Sequence, residues 1–158
     1  MQKKKERETI HEVKITGICD RIDRSKNLFR IVDYKSSSGD KDVFLFESME
    51  QLFKGEKHSK MFQLFIYAWL CWKNKLCKTN EIFPCIIPFR SSKGELLGLT
   101  KKEDKQEVRL VFTDDLLQEF EFHLIKLIEE IFNPSKPFNQ TENFDNCQFC
   151  TYSILCKR

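Results

Sequence analysis

The chain has 158 residues, 41% of them hydrophobic, which is enough apolar material for the core of one globular domain. Its formal charge of +3 is only mildly basic and neither demands nor excludes nucleic acid, while no uncharged apolar run is long enough to span a bilayer. An odd count of seven cysteines, behind a charged and polar first stretch with no secretory character, argues against a disulfide framework and for a cytoplasmic protein.

Met1 to Thr9 holds the run KKKERE, which reads as a solvated terminus rather than a DNA-binding arm. His11 to Ile18 leads into a first strand, and His11 reads as exposed polar surface. The stretch Gly17 to Ser37, GICDRIDRSKNLFRIVDYKSS, has the period of a half-buried hairpin: Ile18 and Ile22 on one strand, Phe29 and Ile31 on the next. Ser25, Lys26 and Asn27 suit the turn between them. If Lys26-Asn27 is a two-residue turn, Ile22 faces Ile31, Asp20 faces Asp33, and Lys35 lies on the face of Asp33. A three-residue turn would slip that register and turn every side chain over.

Two opposed carboxylates at the end of an apolar face repel one another and need positive charge between them. Lys35 is one source, and a divalent cation is a better one, since hard cations prefer carboxylate oxygens. The other face, with Arg21, Asp23, Arg30, Val32 and Tyr34, reads as mixed and solvent-tolerant, and Asp23 across from Arg30 as a surface pair worth little. Asp20, Asp33 and Lys35 are therefore the candidates for chemistry.

Ser36 to Asp40 is a chain breaker. Asp42 to Phe53 is either a short strand and a helical turn or one helix, closed by Gly55. Ser59 to Lys75 is predicted as a helix with Ser59 as N-cap, apolar over nearly its whole circumference and so buried. Gln63 and Tyr67, four apart, share one of its faces; spacing alone favours a core tyrosine beside a satisfied amide. Glu81 to Arg90 reads as a strand, with Pro84 and Pro88 pointing to a sheet edge. Ser91 to Gly94 is a turn, Glu95 to Lys101 a returning strand, and Val108 to Phe112 another. Thr113 caps a long amphipathic helix with Asp114 and Asp115 in its first turn. Its core stripe is Leu117, Phe120, Leu124, Leu127, Ile128 and Ile131; His123 is a boundary residue, and Pro134 stops the helix. The tail carries Cys147, Cys150 and Cys156 in the spacing C-x2-C-x5-C, which suits zinc and iron–sulfur sites alike but is one thiolate short of a full set. Cys71, Cys77 and Cys85 read as small buried hydrophobes or bystanders.

G-x-x-D followed after a turn by I-V-D-Y-K resembles the core of the PD-(D/E)xK nuclease superfamily, and within it the RecB- and AddB-type recombination exonucleases. The resemblance implies that Asp20 and Asp33 hold Mg²⁺ or Mn²⁺ and that Lys35 positions the attacking water. It also implies that Gln63 and Tyr67, matching the family's Q-x-x-x-Y, line the active site. The cysteine trio resembles the C-terminal iron–sulfur staple of AddB-type and CRISPR-associated exonucleases, implying that Cys147, Cys150 and Cys156 are ligands of a 4Fe-4S cluster. Relatives of this type have a helical segment and a fourth cysteine upstream of the first strand. The chain is therefore expected to be a fragment cut from a longer protein, a nuclease core truncated at its N-terminus.

The expected fold is α/β: a mixed central sheet flanked by helices, restriction-endonuclease-like, with a nuclease core over 1–133 and a loop-rich cysteine tail over 134–158. The expected activity is metal-dependent hydrolysis of DNA phosphodiester bonds, of exonuclease type, in recombination or repair beside a helicase domain or subunit. A catalytically inactive DNA-binding or scaffold domain of the same fold is one alternative, and a small zinc-binding interaction module centred on the tail is another.

Overall fold

The structure, a computed structural model, describes residues 12–36, 44–54, 58–90, 96–148 and 150–157. The chain divides into two compact units, Met1–His123 and Leu124–Arg158. The first contains strands β1 (Arg21–Ser25) and β2 (Leu28–Lys35), helices α1 (Met49–Leu52) and α2 (Ser59–Lys73), and strands β3 (Ile82–Pro88), β4 (Leu97–Gly98), β5 (Thr100–Glu103) and β6 (Gln106–Arg109). Helix α3 (Asp114–Ile131) begins in the first unit and ends in the second.

Four strands form a mixed sheet in chain order, β1-β2-β3-β4, with β1 and β4 antiparallel to their neighbours and the central pair β2–β3 parallel. A parallel pair cannot be joined by a tight turn and needs a long crossover; α1 and α2 fill it. The hairpin register is that of the two-residue turn: Ile22 pairs with Ile31 and Asp23 with Arg30 around Lys26, whose φ of 55° is left-handed. Strands β5 and β6 make a separate ribbon, tied to the segment before α1 by a parallel bridge from Leu45 to Thr100. Asp42 to Phe53 is thus, over its described part, a bridge residue and then a helical turn capped by Ser48.

Several expectations change for one reason, the position of each strand in the sheet. Ile18 is 91% exposed and Ile22 half exposed, because β1 is an edge strand whose outer end nothing covers among the described residues. Val32, expected on a solvent-tolerant face, is buried together with Phe29, Ile31 and Asp33. A strand inside a parallel pair is covered on both faces and loses the simple alternation. Strand β3 is likewise internal rather than an edge. Its prolines are tolerated because Phe89 N donates to Lys35 O, which turns the odd-numbered amides of this stretch toward β2. Pro84 and Pro88 then face the β4 side, where the pairing covers only Cys85 and Ile86.

Helix α2 starts one residue earlier than its predicted cap implies. Ser59 is already helical, and His58 takes the cap position without a side-chain bond. No residue from Met61 to Trp72 is exposed, as the all-round apolar pattern required. Its Phe65 meets Phe46, Phe112 and Phe120, and Phe120 of α3 also meets Phe53 and Phe62. These rings weld α1, α2 and the start of α3 together. Asp114 fastens the same corner, accepting from Trp72 Nε1 at 2.7 Å and Thr79 Oγ1 at 3.0 Å. Thr113 caps α3 by accepting from Leu116 N. The α3 stripe is buried at Leu117, Phe120 and Leu124, but Leu127 and Ile131 are exposed. The returning strand of residues 95–101 is split between β4 and β5. His11, Gly55, the Ser91 to Gly94 turn and the breaker beyond Ser36 lie outside the described residues. No helix among the described residues is long and apolar enough to cross a membrane.

Phe120 is fully buried against three other rings. Phe120→Ala should therefore cost about 3–5 kcal/mol of unfolding free energy in urea titration, through lost burial and the cavity left behind.

Candidate active site

The centre of the site is Asp33, the only buried charged side chain among the described residues and 6% exposed. It lies on β2 where both faces of the sheet are covered, so its charge has to be answered from within the protein. Lys35, two residues on and on the same face, brings Nζ to 2.7 Å from Asp33 Oδ2. Tyr67 Oη stands 3.2 Å from Asp33 Oδ1 and 2.8 Å from the Ile18 carbonyl. A phenol has one proton, so it serves the carboxylate or the carbonyl, not both at once. Gln63, one turn earlier on α2, donates to Tyr67 Oη at 2.9 Å and makes a long 3.5 Å contact with Asp33 Oδ1. Burial, then the neighbouring Asp33 charge, pushes the Tyr67 phenol up to about 12. It is a proton donor at any ordinary pH and cannot serve as a base.

Asp20 sits in a bend one residue before β1 and is exposed. Its Oδ2 accepts from Tyr34 N at 2.7 Å, the amide between Asp33 and Lys35. The register in which Arg21 pairs with Val32 brings Asp20 opposite Asp33, as the two-residue turn requires. All five sequence candidates, Asp20, Asp33, Lys35, Gln63 and Tyr67, are thereby brought to one place. The repulsion expected between the carboxylates is met in part by the protein itself, through the Lys35 ammonium and the Tyr34 amide.

Two features of the site were not singled out by spacing. One is the Ile18 carbonyl, which ties Tyr67 to the segment leading into β1. The other is the reason for the glycine of G-x-x-D. A Cβ on Gly17 would come within 3.0 Å of Leu70 Cδ1 and 3.4 Å of the Tyr67 ring, so the missing side chain lets this segment lie against α2. Cys19, in the same segment, has its thiol pKa raised, first by burial and then by the nearby charges of Asp20 and Asp33.

The donor set suits a hard divalent ion. Asp33 Oδ2 is buried and meets the Lys35 ammonium at 2.7 Å. Asp20 keeps one carboxylate oxygen beyond that bound to Tyr34 N. Mg²⁺ is held by one or two carboxylates with water completing its shell, so a third acidic side chain is not required. Among the described residues, no three His, Cys, Asp or Glu side chains form a group able to hold a metal ion. Cys147, Cys150 and Cys156 are free and half-buried. They lie along a run of turns in which Cys150 N donates to Cys147 O and Cys156 N to Tyr152 O, and they do not form a closed ligand set.

Compared with known families, the chain matches the model of the PD-(D/E)XK nuclease superfamily over residues 2–157. No curated protein and no solved structure gave a significant match. With the match running over nearly the whole sequence and a mixed sheet flanked by helices beneath it, the chain belongs to the PD-(D/E)XK nuclease superfamily.

Proposed function

We propose that this domain is a Mg²⁺- or Mn²⁺-dependent deoxyribonuclease of exonuclease type, related to the RecB and AddB nucleases and working in cytoplasmic DNA recombination or repair beside a helicase. The observation that carries the reading is the buried Asp33 carboxylate, charge-paired to Lys35 at 2.7 Å and set by the hairpin register opposite a second carboxylate, Asp20. When bound, the ion supplies Lewis-acid charge and an acidified water. Asp20 and Asp33 would hold it. Lys35 orients the water and offsets charge building on the scissile phosphate. Tyr67, as a fixed donor, and Gln63 behind it keep the Asp33 carboxylate turned toward the ion, and either can reach a phosphate oxygen.

The core is taken as 1–133 and the cysteine tail as 134–158. Between Leu124 and Lys157, only Leu124 is buried among the described residues. Segments below about 40 residues seldom hold together on apolar burial alone and rely on a metal or disulfide staple. That supports an iron–sulfur role for Cys147, Cys150 and Cys156, although their present arrangement is not a finished site, and no step of the hydrolysis passes through them. A zinc-centred interaction module has the same three donors and the same lack of convergence, with nothing further in its favour.

Lys35→Ala should lower Mg²⁺-dependent cleavage of an end-labelled DNA by at least about 100-fold, with an unchanged circular dichroism spectrum. Wild-type protein that cleaves no DNA with either Mg²⁺ or Mn²⁺ would leave the inactive DNA-binding domain as the better description.

Tyr67 gives a separate check on the site's electrostatics. Its folded-state pKa is raised from 10.0 to about 12, so folding favours the protonated phenol. The stability this contributes is full below about pH 10 and is lost as pH rises toward about 12. The difference in unfolding free energy between wild type and Tyr67→Phe should be steady up to about pH 10 and shrink above it. Urea titrations at several alkaline pH values measure that difference.

A further inference from the structure

At the carboxyl end of β2 and β3, one feature takes no part in holding Asp33. By strand alternation Tyr34 faces the side of the sheet opposite Asp33 and Lys35. Its ring lies flat on Phe89, with centroids 5.3 Å apart and planes 9° from parallel. Phe89 is 69% exposed, so it forgoes most of the stabilisation that burial of its ring would bring. It is nevertheless held in place, because its amide donates to Lys35 O at 2.8 Å. Arg21, paired with Val32 across the hairpin, shares the Tyr34 face, where the Tyr34 side chain and Asp23 both hold its pKa above the ordinary value. Arg90, next to Phe89, is exposed.

We propose that the Tyr34–Phe89 pair, flanked by Arg21 and Arg90, is a stacking platform for one base of a single DNA strand whose neighbouring phosphate lies at Asp33 and Lys35. The inference rests on the nuclease reading above and adds to it the state of the substrate strand. An aromatic face accepts any base, and cations beside it follow the backbone; together they form the usual surface for single strands. Tyr34 is one residue, about 3.3 Å along the strand, from both Asp33 and Lys35. A strand crossing the end of β2 can therefore present a phosphate on one face of the sheet and the adjacent base on the other. A base inside a duplex has its faces covered by its neighbours and has to leave the stack to lie on a ring. Arg21 beside Tyr34 and the exposed Arg90 next in sequence to Phe89 favour a polyanion over a protein partner that would use Phe89 as an apolar anchor.

The test is binding of a labelled oligothymidylate to the full chain by fluorescence anisotropy, with Ca²⁺ replacing Mg²⁺ to suppress turnover. Phe89→Ala should weaken binding by about 5- to 150-fold, the range for loss of one stacked base, and Phe89→Trp should retain it. An abasic position scanned along the oligonucleotide should weaken wild-type binding at one position and have no effect there on Phe89→Ala. That coupling separates stacking from a general loss of structure. Equal affinity of wild type and Phe89→Ala, or no coupling to any abasic position, overturns the platform; intact Mg²⁺-dependent cleavage in the same preparation would leave the nuclease reading standing. Wild-type protein that binds no oligothymidylate overturns the platform, and one that also cleaves no DNA with Mg²⁺ or Mn²⁺ overturns both.

Discussion

A carboxylate buried in the middle of a sheet is the constraint around which this domain is arranged. Asp33 sits on an internal strand, and leaving such a charge unanswered costs more than a small domain can spare. The groups that answer it come from two elements, Lys35 from the same strand and Tyr67 and Gln63 from the crossover helix, while the Ile18 carbonyl accepts from the Tyr67 hydroxyl. The Lys35 ammonium meets one oxygen of the carboxylate and the Tyr67 hydroxyl stands beside the other.

The topology explains why these groups meet. Because β2 and β3 are parallel, the chain between them has to return along the sheet, and α2 makes the return. Its apolar circumference packs α2 among the strands, α1 and α3, leaving Gln63 and Tyr67 as the polar groups turned toward β2. The strand bearing D-x-K and the helix bearing Q-x-x-x-Y are thus consecutive elements of one crossover. Gly17 completes the enclosure by letting the segment before β1 lie directly against the Tyr67 ring. The same β2–β3 pairing carries the backbone bond from Phe89 to Lys35, so the face of Asp33 and the face of Tyr34 and Phe89 share one scaffold.

The two units differ in how they are held. The first has a contiguous aromatic core, with Phe65 and Phe120 at its centre and Asp114 stapling the helix ends. The second exposes Phe138, Ile154 and Leu155 almost completely. Apolar residues in that number on so short a segment are costly in water.

The sequence alone determined the hairpin and the places of the two acids and the lysine along it, because a strand's period of two is a local rule, while its register stayed open between a two- and a three-residue turn. Helical spacing likewise placed Gln63 and Tyr67 on one face of α2. What it could not decide was which strands lie inside the sheet. The prolines of β3 pointed to an edge, yet its pairing with β2 made it internal, and Val32 became core where the hairpin pattern left it at the surface. Burial on a second face depends on a neighbour distant in sequence, and no local pattern records that neighbour. The contact of Phe89 with Tyr34 was hidden for the same reason: 55 positions separate two rings that only the parallel register of β2 and β3 brings together.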